Sequence, residues 1–269
     1  MSTQLGLCVW SSSAFADPVC CGALREAGIR ELLLDLGSVE EGFPLSSTER
    51  RQRWRKEAER HDLRIAGVAV RAVLRHGMTA APGSAARAAV ERAVAAGVEC
   101  AADLGASLIV LPSFGASAIR DKDSLRETAR CLRLACALAR TRGLSVATEN
   151  ALGPETLRCL LDVVGYSNLR LLPDLGNYLP ARRKDAFGRA AELVALSEGG
   201  VCIRDGLFDP PRGCALGAGD MMAARQVEAL RAAGFSGTWF LKADYDTAGD
   251  GDPFERLRRD AAFMNVLFS

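Results

Sequence analysis

Short apolar runs alternate with longer amphipathic segments along the whole chain, and no other feature constrains the fold as strongly. In the segments, Ala, Val and Leu recur at spacings of three and four residues while Arg and Glu fill the other positions, as in residues 84–104. That spacing is typical of a helix with one buried face, whereas a short apolar run is typical of a buried strand. Eight such runs are present: LGLCVW from Leu5, RELLLDL from Arg30, RIAGVAV from Arg64, SLIVLP from Ser107, LSVATE from Leu144, LRLLPD from Leu169, GVCIRD from Gly200 and TWFLKA from Thr238.

Eight strand–helix units predict an α/β fold, a single (β/α)8 TIM barrel that occupies residues 1–269 as one domain. The alternative, an open doubly wound sheet, would favour a glycine-rich loop after the first strand, and the chain has WSSSAF there. Helices are expected to start at Asp17-Pro18 and at residues 46–49, and the last helix is expected over residues 253–268. The longest predicted loops are 36–46, 75–83 and 205–219.

Charge and composition disfavour several classes of protein. The 34 basic residues against 33 acidic ones leave a net charge of +1, which disfavours a nucleic-acid binder. No apolar run approaches the roughly 20 residues that a membrane helix needs. The N-terminal MSTQLGLCVW lacks the basic start and the long apolar stretch of a signal peptide. We therefore expect a cytoplasmic protein with a small-molecule substrate and without a nucleic-acid or membrane partner, and a homodimer or homotetramer is the candidate assembly.

Three residue types are informative through their number and position. The nine cysteines are scattered without a CxxC pair, which disfavours a disulfide framework and a structural zinc site, so we expect most of them to be small buried side chains. Lysine occurs only at positions 56, 122, 184 and 242, and histidine only at 61 and 76. Because most basic residues of this chain are arginine, a lysine at the end of a strand indicates a position that requires lysine in particular.

The polar residues that close the last four apolar runs are the candidates for chemistry, because a (β/α)8 barrel builds its active site at the carboxyl ends of its strands. A single carboxylate at such a place can also cap the next helix or mark the exit to solvent. Two of them on successive strands, Glu149 and Asp174, favour a site, because both would point at one axial cavity. The closing residues are Thr148-Glu149-Asn150, Pro173-Asp174-Leu175-Gly176-Asn177, Cys202-Ile203-Arg204-Asp205 and Lys242-Ala243-Asp244.

These strand ends, with the segments Leu216-Gly217-Ala218-Gly219-Asp220 and Gly234-Phe235-Ser236-Gly237, follow each other in an order that is informative. The order resembles the xylose-isomerase-like barrel superfamily of sugar phosphate isomerases and epimerases. In that family the fifth strand ends in Glu and the sixth in Asp, often within D-x-G-N. The seventh strand carries H-x-K-D, a loop with G-E-G-D follows, and the eighth strand comes after G-[YF]-x-G and ends in a second Glu. The first half of the chain adds only the repeating pattern.

The resemblance implies one divalent cation (Mn, Co, Mg or Zn) held by Glu, Asp, His and Glu, with the two glutamates as the acid–base pair. Glu149 and Asp174 match this pattern, whereas Cys202 replaces the histidine and Lys242 replaces the second glutamate. Cys202 could still complete a metal site with Glu149 and Asp174, since a thiolate is a good zinc ligand. A protonated lysine cannot ligate and repels a divalent cation at close range.

We therefore expect no cofactor, or one weakly held divalent cation. Lys242 is then expected within about 3 Å of Glu149 or Asp174, where its charge would take the place of the metal. The alternative for this lysine is that its side chain reaches solvent and binds nothing. Asp244, two residues further on, could supply the missing carboxylate if the eighth strand were one step longer.

The expected chemistry is proton transfer next to a carbonyl in a sugar, a sugar phosphate or a similar small polyhydroxy compound. Glu149 would be the base, Asp174 its electrostatic partner, and Lys242 the group that stabilises the enolate, with a Schiff base at Lys242 as a variant. The alternative is a catalytically inactive barrel that serves as a small-molecule binding or scaffold protein. The endonuclease branch of the same superfamily is disfavoured, because its trinuclear zinc centre is built largely from histidines.

Four residues are candidates for substrate binding. Arg204 replaces the family's lysine, and a guanidinium at the mouth of a barrel suits a phosphate or a carboxylate, although a structural ion pair with Asp205 or Asp174 is the alternative. Trp10 could stack on a sugar or belong to the core. The remaining two candidates are His76, in the loop after the third strand, and Asn177.

Overall fold

The structure, a computed structural model, describes residues 4–178, 187–247 and 251–269. These residues form two compact units. The first unit consists of the described residues within Met1–Leu33, Trp54–Ile65 and Leu172–Ser269, and the second consists of Leu34–Arg53 and Ala66–Leu171. The expected single domain over residues 1–269 stays a prediction.

Each of the eight apolar runs contains one strand, as predicted, and two further strands lie in a predicted loop. The strands of the described residues are β1 (Gln4–Cys8), β2 (Ile29–Asp35), β3 (Arg64–Ala69), β4 (Leu108–Pro112), β5 (Ser145–Glu149), β6 (Leu169–Leu171), β7 (Gly200–Ile203), β8 (Asp205–Phe208), β9 (Pro211–Cys214) and β10 (Thr238–Leu241). In the first unit β1 pairs in parallel with β2 and β10, and β10 also pairs with β7. In the second unit β4 pairs in parallel with β3 and β5, and β5 also pairs with β6.

The predicted loop over residues 205–219 contains an antiparallel hairpin of β8 and β9, in which Asp205 pairs with Cys214 and Phe208 with Pro211. The two strands of the hairpin have four residues each, and the residues towards the turn are exposed to solvent, so their sequence contains no long apolar run. A hydrophobic pattern therefore could not predict it.

The helices predicted to start at residues 46–49 and to occupy residues 84–104 and 253–268 lie close to those positions. They are α1 (Cys21–Glu26), α2 (Thr48–Arg60), α3 (Val73–His76), α4 (Ala85–Asp103), α5 (Lys122–Thr141), α6 (Pro154–Val164), α7 (Ala190–Leu196), α8 (Ala223–Ala232) and α9 (Pro253–Phe268). The predicted start at Asp17-Pro18 is a 3-10 turn, in which the Asp17 carboxylate accepts a hydrogen bond from the Val19 amide. Within the described ranges, every helix is too short or too polar to cross a bilayer.

The ring of Phe240 fills the space that two glycines leave on neighbouring strands of the first unit. Gly6 in β1 and Cys202 in β7 are the register partners of Phe240 in β10. A Cβ atom on Gly6 would lie 2.4 Å from the Phe240 ring, and one on Gly200 would lie 2.7 Å from it. Side chains at these two positions are therefore excluded, and the buried ring forms a solid layer across β1, β10 and β7.

A buried carboxylate connects the last helix to two loops of the first unit. Asp260 of α9 accepts hydrogen bonds from the Tyr245 hydroxyl and the Leu216 amide, each over 3.0 Å. Burial raises the pKa of Asp260 to about 6, and the nearby Asp205 carboxylate also raises it, whereas these two hydrogen bonds and Arg259 act in the opposite direction. Ionisation of this carboxylate therefore lowers the stability of the folded state.

We expect the ionisation of Asp260 to appear in the pH dependence of stability. Because the folded pKa of about 6 lies above the ordinary 3.8, the folded state binds the proton more tightly, and stability falls as the pH rises from about 4 to 6. The shift corresponds to about 3 kcal/mol when it is complete. Urea unfolding of the parent and of Asp260→Asn at pH 4 and pH 7 measures it. The parent should lose stability relative to the variant over this interval, and parallel pH profiles would contradict the pKa assignment.

Candidate active site

Three candidate residues of the first unit, Asp174, Cys202 and Lys242, lie at strand ends next to Phe240. The Lys242 amide donates a hydrogen bond to the Ile203 carbonyl over 3.0 Å, so the pairing of β10 with β7 continues one residue beyond β10. Side chains alternate along a strand, so Lys242 lies on the same face as Phe240. Asp174 joins this face through a parallel bridge to Cys202. Local strand geometry therefore brings Asp174, Cys202 and Lys242 together.

The Asp174 carboxylate is fully buried and accepts hydrogen bonds from two cationic side chains through the same oxygen. Oδ2 lies 3.1 Å from Nε of Arg204 and 3.4 Å from Nζ of Lys242. Arg204 also donates from Nη2 to Oδ1 of Asn177 over 2.7 Å. The side chains of Lys242 and Arg204 are only 17% and 28% exposed. Lys242 is thus in hydrogen-bonding reach of Asp174, as the sequence predicts, and does not extend into solvent.

Of the two ion pairs considered for Arg204, the structure contains the one with Asp174. Asp205 instead turns its buried carboxylate onto the main chain that follows β7. It accepts hydrogen bonds from the amides of Gly206 and Met221 through Oδ1, and from those of Gly217 and Ala223 through Oδ2. One side chain thus fixes both the hairpin of β8 and β9 and the start of α8 next to Arg204.

Two other candidates of the first unit differ from their predicted settings. Asp244 is exposed, and its carboxylate accepts hydrogen bonds from the Asp246 amide and the Thr247 hydroxyl within a turn. The structure therefore has this carboxylate at the surface in a turn, and not in a buried site at the strand end. Trp10 lies in a 3-10 turn after β1 and is only partly buried, so it is not a plain core residue.

The second unit holds Glu149 in a buried polar setting at the end of β5. Its side chain is almost fully buried, and its carbonyl accepts a hydrogen bond from the Ser113 amide over 2.7 Å. The hydroxyls of Ser113 and Thr148 lie 3.2 Å apart. Asn150 is also buried, and its Oδ1 accepts a hydrogen bond from the Leu152 amide. The predicted convergence of Glu149 with Asp174, Cys202 and Lys242 stays a prediction.

His76 is neither in a loop nor fully exposed, which corrects the expectation for residues 75–83. It is the last residue of α3, and its side chain is 20% exposed, with Nε2 3.7 Å from Oε1 of Glu40. The short helix could not be predicted, because its single turn is too short to show a hydrophobic period.

Two charged residues of the second unit escaped the sequence analysis. Asp35 ends β2 and Arg71 follows β3, and Nη1 of Arg71 donates a hydrogen bond to Oδ2 of Asp35 over 3.1 Å. Burial raises the pKa of Asp35, while the Arg71 guanidinium acts in the opposite direction. The signal was present, because Asp35 closes the run RELLLDL, but the family motifs directed attention to the last four strands.

The residues around Asp174 do not fit the divalent cation of the resembled family. Within the described part of the chain, no three His, Cys, Asp or Glu side chains are grouped so that they could hold a metal ion. The Asp174 oxygen Oδ2 already faces an ammonium and a guanidinium. A divalent cation on this oxygen would repel both at close range.

Comparisons with known proteins agree with this arrangement of strands. Residues 23–266 match the family described as Xylose isomerase-like TIM barrel. The 2-epi-5-epi-valiolone 7-phosphate 2-epimerase of Actinoplanes sp. (strain ATCC 31044 / CBS 674.73 / SE50/110) is 32% identical over 235 residues, which cover 86% of this chain and 83% of that protein.

Two solved structures share the fold at low sequence identity. A xylose isomerase domain protein from Planctomyces limnophilus superimposes with a TM-score of 0.77 at 14% identity and covers 99% of this chain and 96% of its own. The D-psicose 3-epimerase of Clostridium cellulolyticum H10, solved with D-tagatose, has a TM-score of 0.74 at 12% identity, and the match covers 99% of this chain and 100% of that one. The predicted (β/α)8 barrel is confirmed, and the chain is an enzyme of the isomerase and epimerase class. By its sequence match and its strand arrangement, the chain belongs to the xylose isomerase-like TIM barrel family.

Proposed function

We propose that the enzyme epimerises a sugar phosphate or a similar small phosphorylated polyhydroxy carbonyl compound by moving a proton on the carbon next to the carbonyl. The relative from Actinoplanes, at 32% identity, acts on a 7-phosphate as a 2-epimerase, which supports both the reaction and the phosphorylated substrate. The observation that carries the proposal is the hydrogen bond of the Lys242 ammonium to the buried Asp174 carboxylate.

Lys242 is proposed to stabilise the charge that forms during the reaction. When a base removes the proton, the electron pair of the C–H bond moves to the carbonyl oxygen, which becomes an enolate. A fixed cation in a water-poor site lowers the energy of this oxyanion. Asp174 holds the ammonium in place, and Arg204 is held on the same carboxylate and on Asn177. The base passes the removed proton to solvent, and a proton from solvent adds to the opposite face of the same carbon as the enolate returns to the carbonyl, which gives the epimer.

Glu149 is proposed as the base. The resemblance assigns a proton-transfer glutamate to this strand end, and the structure has the side chain buried beside Asn150 at the carboxyl end of β5. The substrate contacts of Arg204, Asn177, His76 and Trp10, and the assembly as a homodimer or homotetramer, stay predictions.

We also propose that the reaction needs no metal ion, or only a weakly held one. The support is electrostatic: Lys242 and Arg204 both lie within 3.4 Å of one oxygen of Asp174, and their positive charges would repel a cation on this carboxylate. The Lys242 ammonium supplies on its own the positive charge that the enolate requires.

Exchange of the substrate proton with solvent tests the reaction. We expect that 2-epi-5-epi-valiolone 7-phosphate, or another sugar phosphate from a panel, is epimerised in D2O with deuterium at the inverted carbon, and that EDTA followed by dialysis leaves the rate unchanged. The variant Glu149→Gln, which keeps the shape and removes the base, should lower both epimerisation and deuterium uptake at least about 100-fold. Epimerisation without deuterium uptake would contradict proton transfer, and a rate restored only by added Mn or Co would contradict metal independence.

A further inference from the structure

Asn150, the residue after Glu149 in the second unit, has a buried side chain that the proposed chemistry does not use. The residue is 3% exposed, and its Oδ1 accepts a hydrogen bond from the Leu152 amide over 3.2 Å. Its Nδ2 is buried and has no hydrogen-bond partner among the described residues. The neighbouring hydroxyls of Ser113 and Thr148, in contrast, pair with each other over 3.2 Å. The end of β5 therefore has one amide donor whose acceptor the described part of the chain does not supply.

A structural role accounts for only half of this side chain. The contact of Oδ1 with an amide two residues on is a turn that Asp or Ser forms as well, so it does not require the Nδ2 donor. A buried donor without an acceptor destabilises the folded state. Other buried polar atoms without a partner, such as Nε1 of Trp239 in β10 and Oγ1 of Thr128 in α5, lie inside a strand or a helix. Asn150 differs from them because it follows a strand end directly, on the catalytic face of this fold and next to the proposed base.

We infer that Nδ2 of Asn150 donates a hydrogen bond to a hydroxyl group of the substrate, close to the carbon from which Glu149 removes the proton. This inference rests on the proposed function and names a residue that selects a polyhydroxy substrate. The contact of Oδ1 with the Leu152 amide fixes the plane of the side-chain amide, and with it the direction of Nδ2. Residues 151–153 are each partly exposed, so the amide lies just below the surface of this turn. An uncharged donor can orient a hydroxyl beside Glu149 without forming an ion pair with its carboxylate.

Steady-state kinetics with Asn150→Ser tests the inference, because the serine hydroxyl can still accept from the Leu152 amide while the Nδ2 donor is removed. We expect kcat/KM for the substrate to fall about tenfold or more. A set of substrate analogues, each lacking one hydroxyl, identifies the group that is recognised. The parent should prefer the substrate over one of these analogues about tenfold or more, and in Asn150→Ser this preference should fall below about threefold.

Asn168→Ser is the matched control. Nδ2 of Asn168 donates to the carbonyls of Cys136 and Leu144 over 3.0 and 3.1 Å, and the residue lies just before β6, at the opposite end of the strands from Asn150. This variant should keep the parental preference for the hydroxyl. A preference that Asn150→Ser retains in full overturns the inference, even where the enzyme is an active epimerase.

Urea unfolding provides a measurement that does not depend on turnover. The midpoint of Asn150→Ser should stay close to that of the parent, because the chain supplies no acceptor that the variant loses. Asn168→Ser removes a donor from two carbonyls, so its midpoint should fall by at least about 0.3 M. If Asn150→Ser lowers the midpoint as much as Asn168→Ser does, the Nδ2 donor has a structural acceptor, a bound water included, and the inference is overturned.

Calorimetric titration with 2-epi-5-epi-valiolone 7-phosphate separates the inference from the proposed function. If the parent epimerises no compound, the proposed function fails, and the titration still decides the role of Asn150. Binding by the parent and by Asn168→Ser, with binding at least about tenfold weaker in Asn150→Ser, supports the inference. Equal affinity in Asn150→Ser and the parent, or no binding by the parent, overturns it.

Discussion

Lys242→Met is expected to lower kcat at least about 100-fold, the effect of removing one preorganised donor from a developing oxyanion. The substitution keeps most of the side-chain volume and removes the ammonium that faces Asp174. Because Arg204 still contacts the same carboxylate, the loss of stability should be limited to about 1.5–3 kcal/mol. Kinetics and urea unfolding measure the two effects. The exposed Lys56→Met is the matched control and should change neither, whereas a kcat for Lys242→Met close to the parental value would contradict the role of this lysine.

The reverse change tests whether the ammonium replaces a metal. Lys242→Glu combined with Cys202→His restores the ligand types that the resemblance implies at these two strand ends. We expect this double variant to bind Mn or Co at least about 100-fold more tightly than the parent, because a repelling charge becomes a ligand. Titration calorimetry and elemental analysis after dialysis measure the binding. If the parent and the double variant bind metal equally, or if neither binds it while the barrel stays folded, Lys242 does not stand in for a metal.

Phe240→Ala is expected to destabilise the protein by about 3–5 kcal/mol, because it leaves a cavity between two glycines that cannot fill it. A Cβ atom at Gly6 or at Gly200 would lie within 2.7 Å of the ring, so the ring occupies the space that these two glycines leave on β1 and β7. Lys242 lies two residues further along on the same strand face, so we expect activity to fall even at temperatures where the variant is folded. Urea unfolding provides the measurement.

Phe208→Ala is the control for this change, because Phe208 lies in the hairpin and is 38% exposed. It should alter stability by less than about 0.5 kcal/mol. A loss below about 1 kcal/mol in Phe240→Ala would mean that the neighbouring strands close the cavity, and that the layer is less rigid than its packing indicates.

The sequence was sufficient to predict the parts of the site that depend on strand periodicity. Asp174, Cys202 and Lys242 lie at the ends of successive apolar runs. Because side chains alternate between the two faces of a strand, the position of each residue along its strand determines the face on which its side chain lies. The same rule applied to β2 would have included Asp35. The pairing of Arg71 with it depends on the path of the chain after β3, which no period describes.

The parts that depended on loops could not be predicted. Asp205 was considered as a partner for Arg204, because both carry charge and are adjacent in sequence. In the structure its carboxylate accepts hydrogen bonds from main-chain amides of residues up to Ala223. Every residue except proline has a main-chain amide, so the sequence does not show which amides a carboxylate will bind. His76 shows the same limit, since a helix of one turn is shorter than the window in which a period can be recognised.

The amide contacts of Asp205 have a consequence for how this enzyme can be remodelled. The chain leaves this carboxylate at Gly206 and returns to it at Gly217, so both ends of the hairpin segment are clamped to one buried point. Doubling the length of the chain between two clamped ends adds only about 0.6 kcal/mol of loop-closure entropy. The segment between these glycines is therefore a natural place for grafting. A longer or a differently shaped arm can be inserted there while the guanidinium of Arg204 and the first turn of α8 keep their positions.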